Sequence, residues 1–270
     1  MNKISMKNVL SALTALIMLC SPACITNVMA QDHSKMNVVL LGDSNTSIGG
    51  DSCTLDRGWS KWFKEDFAPK TCISYARSGA TWTNNALTKK NIEENVQKLS
   101  NNNVIYNQVS RFMEAYKSGL QPEPSLIIIA CGTNDAWFES QRPEIYNMSV
   151  SKAFKSTLQE LMMKKVNQVT SLAESVRYNC EILRESFPDA RIVLLTPLQS
   201  VHAGEEKIKK VGDVIEECGK RLDVTVIRQD KVGCVKFTDE RIKKHYTTDG
   251  THTSVLGAKT NGKLIADLLK

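Results

Sequence analysis

The sequence has little histidine, few aromatic residues and, after residue 30, no apolar stretch long enough to cross a bilayer. Of 270 residues four are histidine and 6% are Phe, Trp or Tyr. No cysteine pair stands at metal-ligand spacing with a histidine, so no metal site is expected. No Gly-rich loop ending in Gly-Lys-Ser/Thr follows an apolar run, which excludes a P-loop nucleotide site. The basic residues are scattered, as in Lys164-Lys165, Lys209-Lys210 and Lys243-Lys244, rather than gathered with aromatics. They read as solvated helix faces, and no nucleic-acid partner is expected. Repeats, low-complexity tracts and linker-like segments are also missing, so nothing marks a domain boundary, and no feature calls for a cofactor.

What is present begins with a leader. Lys3 and Lys7 precede an apolar run from Val9 to Cys20 that is too short to span a membrane, and Val28-Met29-Ala30 offers a small-residue cleavage site. Residues 1–30 therefore read as a signal peptide, and the mature chain is expected to start at Gln31 and to be periplasmic or secreted. Cys20 and Cys24 also follow the apolar run, but their flanking residues suit lipid attachment poorly, so anchoring as a lipoprotein is the less favoured reading. The leader holds two lysines and no acid, so its removal lowers the net charge from +6 to +4. Residues 31–270 are the right length for one α/β domain.

Within that domain short apolar runs alternate with amphipathic segments. Strands are expected at 36–41, 71–75, 125–131, 190–196 and 224–227, with helices at 58–66, within 92–118, and at 154–187, 205–221 and 255–269. Such alternation implies right-handed βαβ crossovers and a five-stranded parallel sheet covered on both faces, an α/β/α sandwich. Segment 136–153 has no clear period. It leaves directly from a strand end, so it either overhangs a site or covers the sheet edge with its aromatics.

Three strand-like runs end in small polar loops: Gly42-Asp43-Ser44-Asn45, Arg77-Ser78-Gly79-Ala80 and Gly132-Thr133-Asn134-Asp135. Ligands in open parallel sheets bind outside such carboxyl ends. A fourth block, Asp249-Gly250-Thr251-His252, precedes the last helix. Singly each loop would be an ordinary turn, because Gly, Asn, Asp and Ser all favour turns. In this order the four blocks resemble those of the SGNH hydrolases, the GDSL-type esterases and lipases, over about residues 36–270. That resemblance implies a flavodoxin-like three-layer sandwich, the SGNH hydrolase fold. It makes Ser44 the nucleophile, His252 the base and Asp249 its acid partner. Ser44, Gly79 and Asn134 would be the oxyanion donors. One departure is Asn45, where the name-giving motif has leucine.

The chemistry suits these residue types. Acyl transfer to serine needs a base beside the hydroxyl, an acid that fixes the base's tautomer, and donors aimed at the developing oxyanion. Asp43 adjoins the nucleophile and is expected to order the loop by accepting N–H bonds. Asn45, Trp82, Asp135 and Trp137 are candidate substrate contacts, the tryptophans as sugar-stacking rims or, alternatively, as fillers over the sheet. Of the remaining histidines, His33, His202 and His245, only His202 is placed to reach the pocket.

An exported serine esterase removing short acyl groups, acetate above all, from a small-molecule or oligosaccharide ester is the reading these features favour. Its alternatives are a lipid-directed lysophospholipase or thioesterase, an acyltransferase, and a silent carbohydrate-binding module. Oligomeric state is left open. Six cysteines remain after the leader and permit 15 pairings. Cys218 with Cys234 is the first expectation, around one strand, and Cys53 with Cys72 the second. Cys131 and Cys180 read as packed thiols.

Overall fold

The computed structural model describes residues 32–93, 95–236 and 245–270. The leader at 1–30, with its cleavage point and Cys20 and Cys24, lies outside the described residues, as does Lys243-Lys244. Five short strands, β1 (Asn37–Gly42), β2 (Thr71–Ser74), β3 (Leu126–Ala130), β4 (Arg191–Leu195) and β5 (Thr225–Ile227), pair in parallel in the order β2-β1-β3-β4-β5. This is the doubly wound, flavodoxin-like order, whose direction reverses between β1 and β3.

The two-residue period of the strands sorts the core. Val38, Leu40, Leu126, Ile128, Val193 and Leu195 face one layer, made of helix α2 (Trp59–Phe67) and the C-terminal helix (Val255–Leu269). Val39, Leu41, Ile127, Ile129, Ile192 and Leu194 face the other, where they meet α3 (Ile105–Lys117), α7 (Leu172–Ser186) and α8 (Glu205–Leu222). Near-continuous apolar strands are what burial on both faces requires. On the first face the two helices touch through backbone: a Cβ on Gly262 would lie 2.4 Å from the Trp59 carbonyl oxygen. That contact fixes the position of the C-terminal helix, and with it the block that precedes it.

The helix layer differs from the periodicity reading in two places. The segment expected as one helix from 154 to 187 is α6 (Leu158–Met162), a 3-10 turn (Val166–Gln168) and α7. Thr157 and Ser171 each accept a bond from a backbone N–H three residues on, and so start two separate helices. The helix expected within 92–118 begins only at Ile105. Before it, asparagine side chains staple an irregular segment. Asn103 donates to the carbonyls of Ser78 and Lys98, and Asn107 to those of Lys89 and Asn102. Segment 136–153 packs down rather than standing off. Ile145, Val150 and Ala153 are buried in the core with α7 and α8.

The expected Cys218–Cys234 disulfide does not form. Cys218 points inward from α8 to the Ala173 carbonyl, 3.6 Å away, while Cys234 lies 3.6 Å from the Gly257 carbonyl. Cys131 and Cys180 are buried thiols. Cys53 and Cys72 are also free, but both are buried and their sulfurs lie 3.7 Å apart.

Candidate active site

β1 ends on Gly42, whose N–H and C=O are both met at 2.8 Å by the side-chain amide of Gln108 from α3. Asp43 then caps the short helix α1 (Ser44–Ser47) by accepting the Asn45 N–H. Its other oxygen accepts the Thr133 N–H at 3.3 Å, so one buried carboxylate ties the loop after β1 to the loop after β3. Burial pushes the Asp43 carboxyl up to about 6, against the bonds from Thr133 and Asn45 and the charge of His252. Asp43 thus does what the sequence suggested, ordering the loop. Ser44 is left at the first position of α1, where a helix N–H has no intrahelical acceptor.

The structure brings Ser44, His252 and Asp249 into one line. His252 Nε2 lies 2.9 Å from Ser44 Oγ, and His252 Nδ1 lies 2.6 Å from Asp249 Oδ2. Because an ionised carboxylate only accepts, Nδ1 carries the proton and the Nε2 lone pair is left for the serine hydroxyl. The second Asp249 oxygen accepts the N–H groups of Thr251 and His252 at 2.9 and 2.7 Å. Partial burial pushes this carboxyl up, but the bonds from His252 and Thr251 outweigh it, so Asp249 sits below its ordinary range and stays ionised. Ser44 is only 4% exposed, so the surrounding loops enclose it.

Gly79 adopts φ +79°, and a Cβ there would meet the Lys98 carbonyl carbon at 2.3 Å. Both conditions admit glycine alone. Asn134, in the first turn of α4 (Thr133–Trp137), donates one amide hydrogen to the Ala80 carbonyl at 2.9 Å. That bond orients the amide and joins the second block to the third, and the NH₂ keeps a second hydrogen for a ligand.

Three of the suggested substrate contacts are structural instead. Trp82 is fully buried and donates through Nε1 to the Cys131 carbonyl, so it fills the core and has no face for a sugar. Asp135 is equally buried and accepts from the N–H groups of Trp82 and Thr83 and from the Thr83 hydroxyl. Burial raises its pKa against those bonds. Asn45 turns away from any ligand: its amide donates to the Thr251 carbonyl at 3.3 Å and accepts the Thr253 N–H at 3.2 Å. The departure from leucine therefore belongs to the scaffold, where Asn45 pins the block carrying His252 to the block carrying Ser44. Trp137 is half-buried, its ring already parallel to His202 and Phe138.

Other residues that shape the site gave no signal in the sequence. Gln108 lies in the first turn of α3, and nothing local marks it as a main-chain clamp. Arg57 lies in a loop, yet its carbonyl accepts the Thr253 hydroxyl and its guanidinium donates to the Thr248 hydroxyl. Among the described residues no group of three or more His, Cys, Asp or Glu could hold a metal ion.

No curated protein matches this sequence. Solved structures do match its fold. A lipase/acylhydrolase from Enterococcus faecalis is similar at 18% identity and TM-score 0.51, covering 87% of this chain and 95% of its own. A putative GDSL-like lipase from Bacteroides uniformis aligns at 17% identity and TM-score 0.52, over 87% and 95% of the two chains. A putative lipolytic protein of the G-D-S-L family from Desulfitobacterium hafniense aligns at 14% and 0.55, over 87% and 99%. Residues 40–260 match the model of the GDSL-like lipase/acylhydrolase family, a span that holds all four polar blocks. With the sheet order and the strand-end site already in place, this match establishes that the chain belongs to that family of ester hydrolases.

Proposed function

We propose that this protein is an exported serine esterase that removes short acyl groups, acetate above all, from a carbohydrate or similarly polar alcohol. The observation that carries the catalytic part is the Ser44–His252–Asp249 line, with contacts of 2.9 and 2.6 Å. Ser44 Oγ attacks the ester carbonyl while His252 Nε2 takes its proton, and Asp249 stabilises the imidazolium that forms. The oxyanion is met by the N–H groups of Ser44 and Gly79 and by the free amide hydrogen of Asn134. Collapse breaks the bond to the alcohol, which leaves with the proton held by His252. Water then attacks acyl-Ser44, giving up a proton to His252 and releasing the acid and the free serine.

The substrate side rests on polarity. The loops beside Ser44 contribute Ser78 and the amide of Asn134, and a buried acyl methylene needs apolar contact to contribute its ~0.8 kcal/mol. Lengthening the acyl chain should bring no gain. The leader read at residues 1–30 supports action outside the cytoplasm, and finding Gln31 at the N-terminus of protein from its host tests that part. The main experiment is a series of aryl esters from acetate to octanoate, with Ser44→Ala as control. Acetate should be the best substrate and Ser44→Ala should be inactive. Retained turnover in Ser44→Ala overturns the nucleophile, and a preference for octanoate assigns a lipid-directed enzyme.

A further inference from the structure

Ser200, Val201 and His202, in the connection from β4 to α8, supply no group to the triad. Yet these three consecutive residues bind the three that lead up to the base. The Val201 N–H donates to the Gly250 carbonyl at 2.9 Å, the hydroxyls of Ser200 and Thr251 lie 2.7 Å apart, and His202 Nε2 lies 3.0 Å from the Asp249 carbonyl oxygen. A carbonyl can only accept, so His202 Nε2 carries a hydrogen and donates it. The His202 ring in turn lies on Trp137, with centroids 4.7 Å apart and planes 6° apart. Trp137 ends α4, the helix whose first turn holds Asn134.

Asp249 needs such support. Its side chain is 46% exposed, and among the described residues its carboxylate bonds run to Thr251 and His252 within its own turn. Bonds inside a turn set its shape but not its distance from Ser44. That distance is set by contacts to other elements, among them Asn45 and Arg57 on one side and residues 200–202 on the other. Of these, His202 is the one that reaches Asp249 itself. Displacements of about 1 Å at such a site cost about 10²-fold in rate.

We propose that His202 is a positioning residue: its Nε2–H, held in place by the stack on Trp137, fixes the main chain of Asp249 so that the carboxylate stays in line with His252 and Ser44. The proposal rests on the triad assignment made above. Its test compares His202→Gln, whose amide nitrogen stands close to where the ring Nε2 stood, with His202→Leu, which keeps apolar contact with Trp137 but donates nothing. Each is measured for kcat and KM on an aryl acetate, for thermal midpoint, and for the downfield proton resonance of His252 Nδ1–H.

His202→Leu should lower kcat by about tenfold, with KM and thermal midpoint little changed, and should shift or broaden the Nδ1–H resonance. His202→Gln should restore most of both. A His202→Leu enzyme with kcat within about twofold of wild type, or equal losses in both variants, overturns the proposal. If the wild-type protein hydrolyses no ester, the functional reading has failed instead. The resonance then decides alone, and finding it identical in His202→Leu and wild type overturns the positioning role.

Discussion

Replacing Asn45 with leucine, the residue the family's motif carries there, isolates what this chain has built on the departure. The two side chains share one branched skeleton, with methyls in leucine where asparagine has its amide oxygen and nitrogen, so the change removes two bonds, to the Thr251 carbonyl and from the Thr253 N–H. Thr251 and Thr253 are 1% and 0% exposed, so water cannot replace either bond. Leaving a buried polar group unpaired costs about 1–3 kcal/mol. Both contacts are long, 3.2 and 3.3 Å, which places the pair near the lower end, at about 2–4 kcal/mol together. For a domain of this size that lowers the thermal midpoint by roughly 5–12 °C. Because the freed loop carries His252, kcat on an activated ester should fall as well, by about tenfold. Calorimetry and steady-state kinetics on the same preparation check both numbers. A midpoint within about 2 °C of wild type would refute the reasoning, since the two bonds would then be contributing almost nothing.

Other expectations follow from single residues. Asn134→Ala should cut kcat by about 10²–10³-fold, and steady-state kinetics that show less than tenfold would remove Asn134 from the oxyanion site. Gly79→Ala must place a Cβ 2.3 Å from the Lys98 carbonyl carbon at φ +79°, so it should lose more than about 2 kcal/mol in urea unfolding. An unchanged midpoint would mean that segment 95–103 gives way freely. Asp43, raised from 3.8 to about 6, holds its proton more tightly folded than unfolded, so that stabilisation is complete below its unfolded pKa and lost as pH rises through about 6. Relative to Asp43→Asn, the wild type should therefore lose about 2 kcal/mol between about pH 4 and 6.5, and parallel stability curves would contradict it. Cys53 and Cys72, with sulfurs 3.7 Å apart, should close a disulfide with an added disulfide oxidant. Mass lowered by two hydrogens and a linked peptide pair would show it, and free thiols after exhaustive oxidation would exclude it.

Much of the sheet was legible because its strands are buried on both faces and read as continuous Val, Ile and Leu. The final helix was read as 255–269 and forms as Val255–Leu269. The helical layer was less so. Thr157 and Ser171 start new helices by bonding nearby N–H groups, and a hydrophobic period carries straight across such caps. For the site, the four polar blocks were visible because each sits at a strand end or beside a helix start. The roles of residues within them were not. Asn45, Trp82 and Asp135 adjoin the reactive positions in sequence, but each spends its polar atoms on backbone from another block. Adjacency along the chain says nothing about which way a side chain turns. Gln108 was hidden for the converse reason: its partner, Gly42, lies 66 residues away. His202 stood out as the one further histidine near the pocket, but its contact was not legible, because its partner Asp249 lies 47 residues away.

The backbone contact between Gly262 and Trp59 bears on when the chain becomes an enzyme during its synthesis. Ser44, the proposed nucleophile, is made early, but His252, the proposed base, is made more than two hundred residues later, and the block that holds it is placed by the helix that follows. Until Ile265, Ala266 and Leu269 reach α2 and β1, the sheet face formed by Val38, Leu40 and Ile128 stays open to water. A nascent chain lacking its last fifteen residues thus holds every catalytic side chain but has no surface on which to assemble them. On the proposed triad, hydrolysis waits for that helix to dock, so catalytic competence follows the docking of the helix rather than the synthesis of His252.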